Sequence, residues 1–243
     1  MTEIDEAMMK NPAAAWDKEY DRQGIPSSHR DEPSSVLRWA LSNLPYLTDH
    51  PIGSAVDLGC GTGRNAVALS DANLDKVSGM DFSTVALDVA HKRPGAGRIN
   101  FIQGDVTKPL PFESDSFDFA ADIFVYFHQL PDIDRARYRR EIHRILKPGG
   151  ILLISLATIN DGYYGSCPVG PLQDIGSSVR LTWDPIAEVG NILLTSDQLM
   201  AEFSDMFELE MSWTKRKAGQ MHGTAYLRET VATLWRAKVK PHS

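Results

Sequence analysis

A glycine-rich loop that joins a short, mostly apolar segment to a helix-forming one is the feature that most restricts the fold of this chain. Residues 54–58 read Ser-Ala-Val-Asp-Leu, and residues 59–63 read Gly-Cys-Gly-Thr-Gly. Glycines permit a tight turn and let a ligand lie against bare backbone. A strand that runs through such a loop into a helix is typical of α/β sheets, in which ligands bind beyond the carboxyl ends of the strands.

Apolar runs and amphipathic segments alternate along most of the chain. We predict strands at 54–58, 76–80, 99–103, 117–124 and 151–156, helices at 64–72, 83–93, 132–146 and 196–203, and two late strands near 207–214 and 230–239. Such alternation produces βαβ units with right-handed crossovers, and closely spaced late strands of mixed polarity favour an antiparallel hairpin. The predicted fold class is α/β: a doubly wound, seven-stranded, mostly parallel sheet with an antiparallel final strand.

Two segments fall outside this alternation. Residues 1–50 look helical and polar, and we predict that they form an N-terminal helical lid. Residues 159–190 hold many Gly, Pro, Asp and aromatic residues, and an irregular stretch of about thirty residues is usually functional or disordered. We predict that this insert shapes a ligand pocket. No Pro/Gly/Ser-rich linker divides the chain, so residues 1–243 are expected to form a single domain.

Acidic residues stand at the ends of the first three predicted strands. Asp57 precedes Gly59 by two positions, in a loop that matches neither the dinucleotide pattern G-x-G-x-x-G nor a P-loop. A carboxylate there would repel a pyrophosphate but would suit an ammonium group. Asp81 can accept two hydrogen bonds from a ribose, and Asp105 can accept one from an adenine amino group. The alternative is that each carboxylate only caps the helix or turn that follows it.

Four motifs together carry a family resemblance. They are VDLGCGTG at 56–63, GMDFS at 79–83, GDVTKPLPFESDSFD at 104–118 and LKPGG at 146–150. Over about residues 50–157 the chain resembles the class I S-adenosylmethionine-dependent methyltransferases. The resemblance implies S-adenosyl-L-methionine as cofactor and methyl transfer to an acceptor, which we expect to be a small molecule.

The same resemblance implies which residues contact the cofactor. Glycines of the loop would line its methionine part, Asp57 would hold its amino group, and Asp81 its ribose. Trp16 and Tyr20 lie on one helical face and resemble a W-x-x-x-Y segment whose helix covers the cofactor in small-molecule methyltransferases. The implied cofactor residues are Asp57, Gly59, Gly61, Gly63, Asp81, Phe82, Asp105, Val106, Asp122, Ile123, Trp16 and Tyr20.

A methyl group on a sulfonium is already activated, so the protein must orient the acceptor, exclude water and accept a proton where the acceptor carries one. His128 and Asp122 are the candidate catalytic residues; alternatively, His128 bonds a backbone carbonyl and Asp122 only positions the cofactor. The predicted acceptor-binding residues are Tyr126, Tyr163, Tyr164 and Trp183, with Met221 and His222 as further pocket candidates. Core packing is the alternative for each of them.

Composition excludes several classes of function. The net charge of −7 disfavours nucleic acid as a partner, and two cysteines are too few for a disulfide framework. No apolar run is long enough to cross a bilayer, so we expect no membrane partner and a cytoplasmic protein. No metal site is predicted. The acceptor's identity, the methylated atom and the oligomeric state stay open.

Other functions on the same fold are weaker interpretations. One is a cofactor-binding partner subunit without turnover, and another is an NAD(P)-dependent Rossmann enzyme. Aminopropyl transfer needs an acidic cluster that is missing after Asp122. Methylation of nucleic-acid amino groups is disfavoured because residues 122–125 read Asp-Ile-Phe-Val, without an Asn-Pro-Pro-Tyr/Phe motif.

Overall fold

The computed structural model describes residues 12–25, 28, 30–72, 74–169 and 179–240. In these ranges the strands are β1 (Ser54–Leu58), β2 (Lys76–Asp81), β3 (Ile99–Gln103), β4 (Phe117–Ile123), β5 (Leu146–Ala157), β6 (Arg180–Asp184), β7 (Val189–Leu193), β8 (Phe207–Met221) and β9 (Thr224–Ala237). The helices are α1 (Pro12–Arg22), α2 (Ser35–Leu47), α3 (Arg64–Asp71), α4 (Thr84–Ala90), α5 (Asp132–Ile145) and α6 (Ser196–Phe203), with 3₁₀ turns at Ala96–Arg98, Tyr126–His128 and Tyr164–Ser166.

Seven strands form one sheet in the order β3-β2-β1-β4-β5-β9-β8. The pairs from β3 to β5 are parallel, and β9 runs antiparallel to both β5 and β8. The predicted seven-stranded, mostly parallel sheet with an antiparallel final strand is confirmed. The chain moves outward from β1 to β3 and then returns to place β4 on the other side of β1. Loops after β1 and β4 therefore diverge and open a crevice at this switch point.

The central strands are buried on both faces, which explains their nearly continuous apolar sequences. Val56 and Leu58 lie in one apolar cluster, whereas Ala55 and Phe119 lie in the other, on the opposite face of the sheet. Helix α2 belongs to that second cluster, because Leu37 and its neighbours along one face are buried in it. Helix α2 is thus part of the body of the fold.

The late strands extend further than predicted. Predicted strands near 207–214 and 230–239 correspond to the fifteen-residue β8 and the fourteen-residue β9. Only Thr230–Arg236 of β9 pairs with β5, so the outer halves of β8 and β9 form a two-stranded ribbon beyond the sheet. One face of this ribbon is solvated, and its polar residues hid the strand pattern.

The predicted irregular insert at 159–190 contains regular structure. Strands β6 and β7 pair antiparallel, and the carboxylate of Asp184 caps the turn between them by accepting hydrogen bonds from the Ile186 and Ala187 amides. Strand β7 packs against the turn Tyr126–His128. Residues 170–178 of the insert and residues 1–11 of the predicted lid lie outside the described residues. Across the described ranges, no helix combines the length and apolar character needed to cross a bilayer.

Candidate functional site

A cavity of about 590 Å³ opens at the carboxyl ends of the central strands. The strand ends contribute Gly59, Asp81, Phe82, Asp105 and Val106 to its wall. The structure therefore brings together predicted cofactor residues that lie on three different strand ends, as expected for neighbouring parallel strands.

The glycine loop combines a left-handed backbone with close packing. Gly59, Gly61 and Gly63 have φ of +65°, +52° and +78°, which glycine adopts without steric cost. A Cβ on Gly59 would lie 2.1 Å from Val125 Cγ2, and one on Gly61 would lie 2.5 Å from the Tyr20 hydroxyl. Gly59 lines the cavity, Gly61 lies behind Tyr20, and Gly63 is the N-cap of α3.

Asp81 ties the glycine loop to the end of β2. Its Oδ2 accepts a hydrogen bond from the Gly61 amide at 2.7 Å, and its Oδ1 accepts one from the Ser83 amide at 2.9 Å. Burial raises the pKa of this carboxyl to about 6. Because Asp81 also lines the cavity, its remaining lone pairs can accept hydrogen bonds from a ligand.

Asp57 has an oxygen without a partner. The side chain is buried, its Oδ2 makes no hydrogen bond, and burial, opposed by Arg64, raises its pKa to about 8. A buried polar atom left unpaired costs free energy until a donor reaches it. Asp57 does not line the cavity itself, whereas Gly59, two positions later, does. The unpaired oxygen of Asp57 is the acceptor that the sequence prediction assigns to an ammonium group.

Asp105 both caps a turn and faces the cavity. Its Oδ1 accepts a hydrogen bond from the Thr107 amide at 2.8 Å, while the side chain is exposed at the cavity wall. The capping alternative and a ligand contact are compatible here, since a carboxylate has several lone pairs.

Asp122, a candidate base or positioning residue in the sequence, lies in the core beside the turn that follows β4. It is fully buried, and its carboxylate accepts hydrogen bonds from the Val125 and Tyr126 amides and from the Tyr138 hydroxyl. A buried carboxylate needs such partners, and here they shape the turn after β4. Asp122 does not line the cavity, whereas its neighbour Ile123 does.

Replacing Asp122 with alanine should therefore lower stability. At pH 5, below the pKa of about 6 to which burial raises this carboxyl, the loss of the side chain would leave the Val125 and Tyr126 amides without their acceptor. We expect the free energy of unfolding to fall by about 1–3 kcal/mol, measured by urea denaturation. Tyr138→Phe, which removes one donor only, should cost about 1 kcal/mol. An unchanged midpoint for Asp122→Ala would contradict the structural role.

His128 lines the cavity, and its Nδ1 lies 3.0 Å from the Gly190 carbonyl oxygen. Burial lowers the pKa of His128 to about 4, so the ring is neutral at neutral pH. The Trp16 ring meets it edge-on, with centroids 4.8 Å apart. The carbonyl contact that the sequence offered as an alternative is present on one nitrogen, which leaves the other nitrogen for a ligand.

Of the four predicted acceptor-binding residues, Trp183 lines the cavity. Tyr126 is fully buried, with its hydroxyl bonded to Glu202. Tyr163 and Tyr164 are buried against each other, with ring centroids 5.1 Å apart. These three tyrosines do not form part of the cavity lining, because large aromatic side chains beside a strand end are readily drawn into the core.

The further candidates Met221 and His222 also lie away from this cavity. Met221 is buried, and His222 lies at the ribbon tip, with its Nε2 3.5 Å from Asp184. Several residues that the sequence did not single out line the cavity instead. They are Phe124, Val125, Leu130, Glu188, Val189 and Gly190.

Phe124 has a conformational feature that only the structure shows. It follows β4 directly and has φ of +70°, a conformation that costs a bulky residue free energy and clusters at functional sites. The residues from the β6–β7 hairpin had no signal, because their approach to the cavity depends on a contact between distant segments.

Helix α1 covers the cavity. Trp16 and Tyr20 line it from this side, and the Ser83 hydroxyl donates a hydrogen bond to Asp17. Lys18 forms an exposed ion pair of 3.2 Å with Glu188 in the β6–β7 turn. The part of the predicted lid that meets the cavity is thus α1. Among the described residues, no group of three or more His, Cys, Asp or Glu side chains could hold a metal ion.

The chain is similar to known methyltransferases in sequence and in fold. Residues 55–150 match a family model described as a methyltransferase domain. The chain is 31% identical over 120 residues to the demethylmenaquinone methyltransferase of Lysinibacillus sphaericus, an alignment of 48% of this chain and 50% of that protein. The chain thus spans about half the length of the curated relatives it matches.

Two solved structures share the fold. A SAM-dependent methyltransferase from Methanosarcina mazei has a TM-score of 0.64 at 21% identity, covering 81% of this chain and 97% of that one. The 1,6-didemethyltoxoflavin-N1-methyltransferase of Burkholderia thailandensis, with bound 1,6-didemethyltoxoflavin and S-adenosylhomocysteine, has a TM-score of 0.62 at 20% identity, covering 93% and 89%. These two structures confirm the predicted Rossmann-like fold, and the family model matches the predicted methyltransferase resemblance over residues 55–150.

Proposed function

We propose that this chain, with its methyltransferase domain at 55–150, transfers the methyl group of S-adenosyl-L-methionine to a small-molecule acceptor. One observation carries the proposal: a single cavity joins the strand-end carboxylates Asp81 and Asp105 to His128 and Trp183. Its volume of about 590 Å³ lies within the range of small-molecule sites.

The strand ends fit the adenosyl and methionine parts of the cofactor. Asp81 would accept hydrogen bonds from the ribose, while Asp105 and Val106 would contact the adenine edge and Phe82 its face. Gly59 also lines the cavity and has no side chain to occupy the space that the cofactor needs. The unpaired oxygen of Asp57 supports a charge-assisted bond to the amino group, which is about twice as strong as a neutral one.

The bound cofactor supplies a methyl carbon that its sulfonium already activates. The residues of the chain then need to orient the acceptor and exclude water, and orientation alone can supply on the order of 7–11 kcal/mol in favourable cases. Trp16 and Tyr20 on α1 would close the cavity to water. Their aromatic rings can also face a sulfonium through cation–π contact.

The other side of the cavity would hold the acceptor. Trp16, Phe124 and Trp183 present aromatic side chains there, and the neutral ring of His128 adds a polar atom. Two relatives carry the small molecules demethylmenaquinone and 1,6-didemethyltoxoflavin in their names, which supports a small acceptor. The net charge of −7 argues against nucleic acid as acceptor, and a cytoplasmic location stays a prediction.

Binding and turnover test the proposal separately. In isothermal titration calorimetry, S-adenosylmethionine and S-adenosylhomocysteine should each bind with one site per chain, and NADH should not. Release of S-adenosylhomocysteine should then follow addition of acceptors from a panel of phenols, N-heterocycles, thiols and quinones. Absence of binding by both adenosyl compounds would overturn the proposal. Binding without turnover of any acceptor would favour a non-catalytic partner subunit.

A further inference from the structure

The turn that carries His128 is held from two sides. First, the Asp122 carboxylate accepts hydrogen bonds from the Val125 and Tyr126 amides. Second, β7 packs against the turn and brings the Gly190 carbonyl oxygen to 3.0 Å from His128 Nδ1. The position of this ring is therefore decided by a strand that lies 62 residues away in the sequence.

This contact selects the tautomer of His128. A carbonyl oxygen can only accept a hydrogen bond, so Nδ1 must carry the proton. A neutral imidazole has one N–H, and the nitrogen opposite it is then an acceptor. His128 therefore presents an unprotonated Nε2 as its remaining polar atom, in a wall that also holds Trp16, Phe124 and Trp183.

The glycine at position 190 allows β7 to approach this closely. A Cβ at this position would lie 2.4 Å from Leu130 Cδ1 and 3.1 Å from Leu130 Cδ2. Leu130 follows the His128 turn and lines the same cavity. Glycine in a strand often marks such a close approach of backbone, so a side chain here would push β7 and its carbonyl away from the ring.

We infer that the Gly190 carbonyl is a positioning group for His128, and that the site takes an acceptor whose methylated atom is an oxygen or nitrogen bearing hydrogen. This inference rests on the proposed function and names its acceptor class. An Nε2 lone pair stabilises an O–H or N–H donor, whereas a C–H group makes no comparable bond.

The step balances as a substitution. The acceptor oxygen or nitrogen forms a bond to the methyl carbon, and the bond from that carbon to sulfur breaks with its electron pair retained on sulfur. The proton of the acceptor passes to His128 Nε2 and then to solvent. No oxidant or reductant is needed.

Nitrogen NMR of protein labelled with ¹⁵N-histidine tests the tautomer without any ligand. The His128 signals, assigned by their loss in His128→Asn, should show Nδ1 protonated and Nε2 unprotonated at pH 7. In Gly190→Ala this pattern should give way to a mixture of tautomers, and kcat/KM should fall at least about 10-fold with unchanged affinity for S-adenosylhomocysteine. Gly97→Ala is the matched control, since its Cβ would meet nothing within 4 Å.

A second variant separates positioning from misfolding. Adding Leu130→Ala to Gly190→Ala removes the clash, so the double variant should regain the parent tautomer signals. His128→Asn keeps a donor for the Gly190 carbonyl but has no group at the Nε2 position. Its kcat should fall at least about 10-fold, less than the roughly 100-fold or more of a general base whose pKa matches the working pH, because burial lowers the pKa of His128 to about 4.

The outcomes are distinguishable from failure of the proposed function. A protonated Nε2 in the parent protein, or a product methylated only on carbon, would overturn this inference even where S-adenosylhomocysteine binds. Full turnover by His128→Asn would overturn it as well. Loss of the adenosyl affinity in the parent protein would instead overturn the proposed function.

Discussion

Asp81→Asn should lower the affinity for S-adenosylhomocysteine at least about 100-fold. Asp81 accepts hydrogen bonds from the Gly61 and Ser83 amides and would also accept them from the ribose. An asparagine amide cannot accept on its nitrogen, so the loop would lose one backbone bond and the ligand a charged partner. Hydrogen bonds to charged groups contribute roughly 1.5–3 kcal/mol each, and about 1.4 kcal/mol corresponds to tenfold in affinity.

The pH dependence of binding supplies a second readout for the same residue. Burial raises the pKa of Asp81 to about 6, and the ligand prefers the ionised form. Affinity of the parent protein should therefore decline more steeply as pH falls below about 6, whereas Asp81→Asn should keep only the shallower decline that begins near pH 8 with Asp57. Both are measured by isothermal titration calorimetry.

Two matched variants define the specificity of the effect. Asp105→Asn changes an exposed carboxylate at the same cavity and should cost only about 5- to 10-fold, the range of an ordinary hydrogen bond. Asp88→Asn changes an exposed residue on α4 and should leave affinity unchanged. If Asp81→Asn bound as tightly as Asp88→Asn, the proposed ribose contact would be wrong.

Asp57→Asn should change stability and affinity in opposite directions. The free energy of unfolding of the ligand-free protein should rise by on the order of 2 kcal/mol at pH 8. Each unit by which folding raises a pKa corresponds to about 1.4 kcal/mol, and this figure takes only part of the shift. For a chain of this size that corresponds to about 4–8 °C in the melting temperature. Affinity for S-adenosylmethionine should fall about 10-fold, because the amino group loses its ionised partner.

The stability gain follows from proton linkage. Burial raises the pKa of Asp57 from 3.8 to about 8, so the folded protein retains a proton that the unfolded chain releases. This group therefore stabilises the fold fully below pH 4, and its contribution is lost as pH rises to about 8. The difference between Asp57→Asn and the parent protein should grow across that window, as measured by thermal denaturation.

Ligand binding should reverse the protonation of Asp57. An ammonium group beside the carboxylate favours the ionised form, so binding at pH 7 should release a proton. The calorimetric enthalpy of the parent protein should then vary with the ionisation enthalpy of the buffer, and that of Asp57→Asn should vary less. Equal buffer dependence in both proteins would contradict the proposed contact.

Asp118 offers an opposite control. Burial acts to raise the pKa of Asp118, but hydrogen bonds from Lys147 and Ser54 hold this pKa below its ordinary value. Asp118→Asn should therefore destabilise the protein above pH 4 and leave adenosyl affinity unchanged. A gain in stability from both Asp57→Asn and Asp118→Asn would indicate a general effect of removing acidic charge.

The sequence predicted the strand ends well because their signals are local. The glycine loop needs positive φ at Gly59 and Gly61, and Asp81 and Asp105 follow strands whose apolar runs are easy to read. Parallel neighbours in the predicted sheet then place these residues at one edge. Sequence reasoning assigned each of the four strand-end acids a role but did not show that Asp122 is buried whereas Asp105 is exposed, because their sequence contexts are alike.

The acceptor side of the cavity was less predictable, because there too burial and not sequence context decides which residues reach the cavity. Tyr126, Tyr163 and Tyr164 were equal to Trp183 as sequence candidates, yet packing buries the three tyrosines and leaves the tryptophan at the cavity. Which aromatic side chains enter the core depends on the elements that pack over them. The polar, mixed pattern of 180–193 concealed a hairpin whose position only distant contacts specify.

Local pattern in the sequence thus determined the sheet, its glycine loop and the carboxylates at its edge, since backbone conformation and strand burial are set over a few residues. Tertiary structure alone decided which strand-end acid keeps an unpaired oxygen, which aromatic residues remain at the cavity and which nitrogen of His128 faces it. Those properties follow from burial and from partners such as Gly190, and chain folding brings such partners together across long separations in sequence.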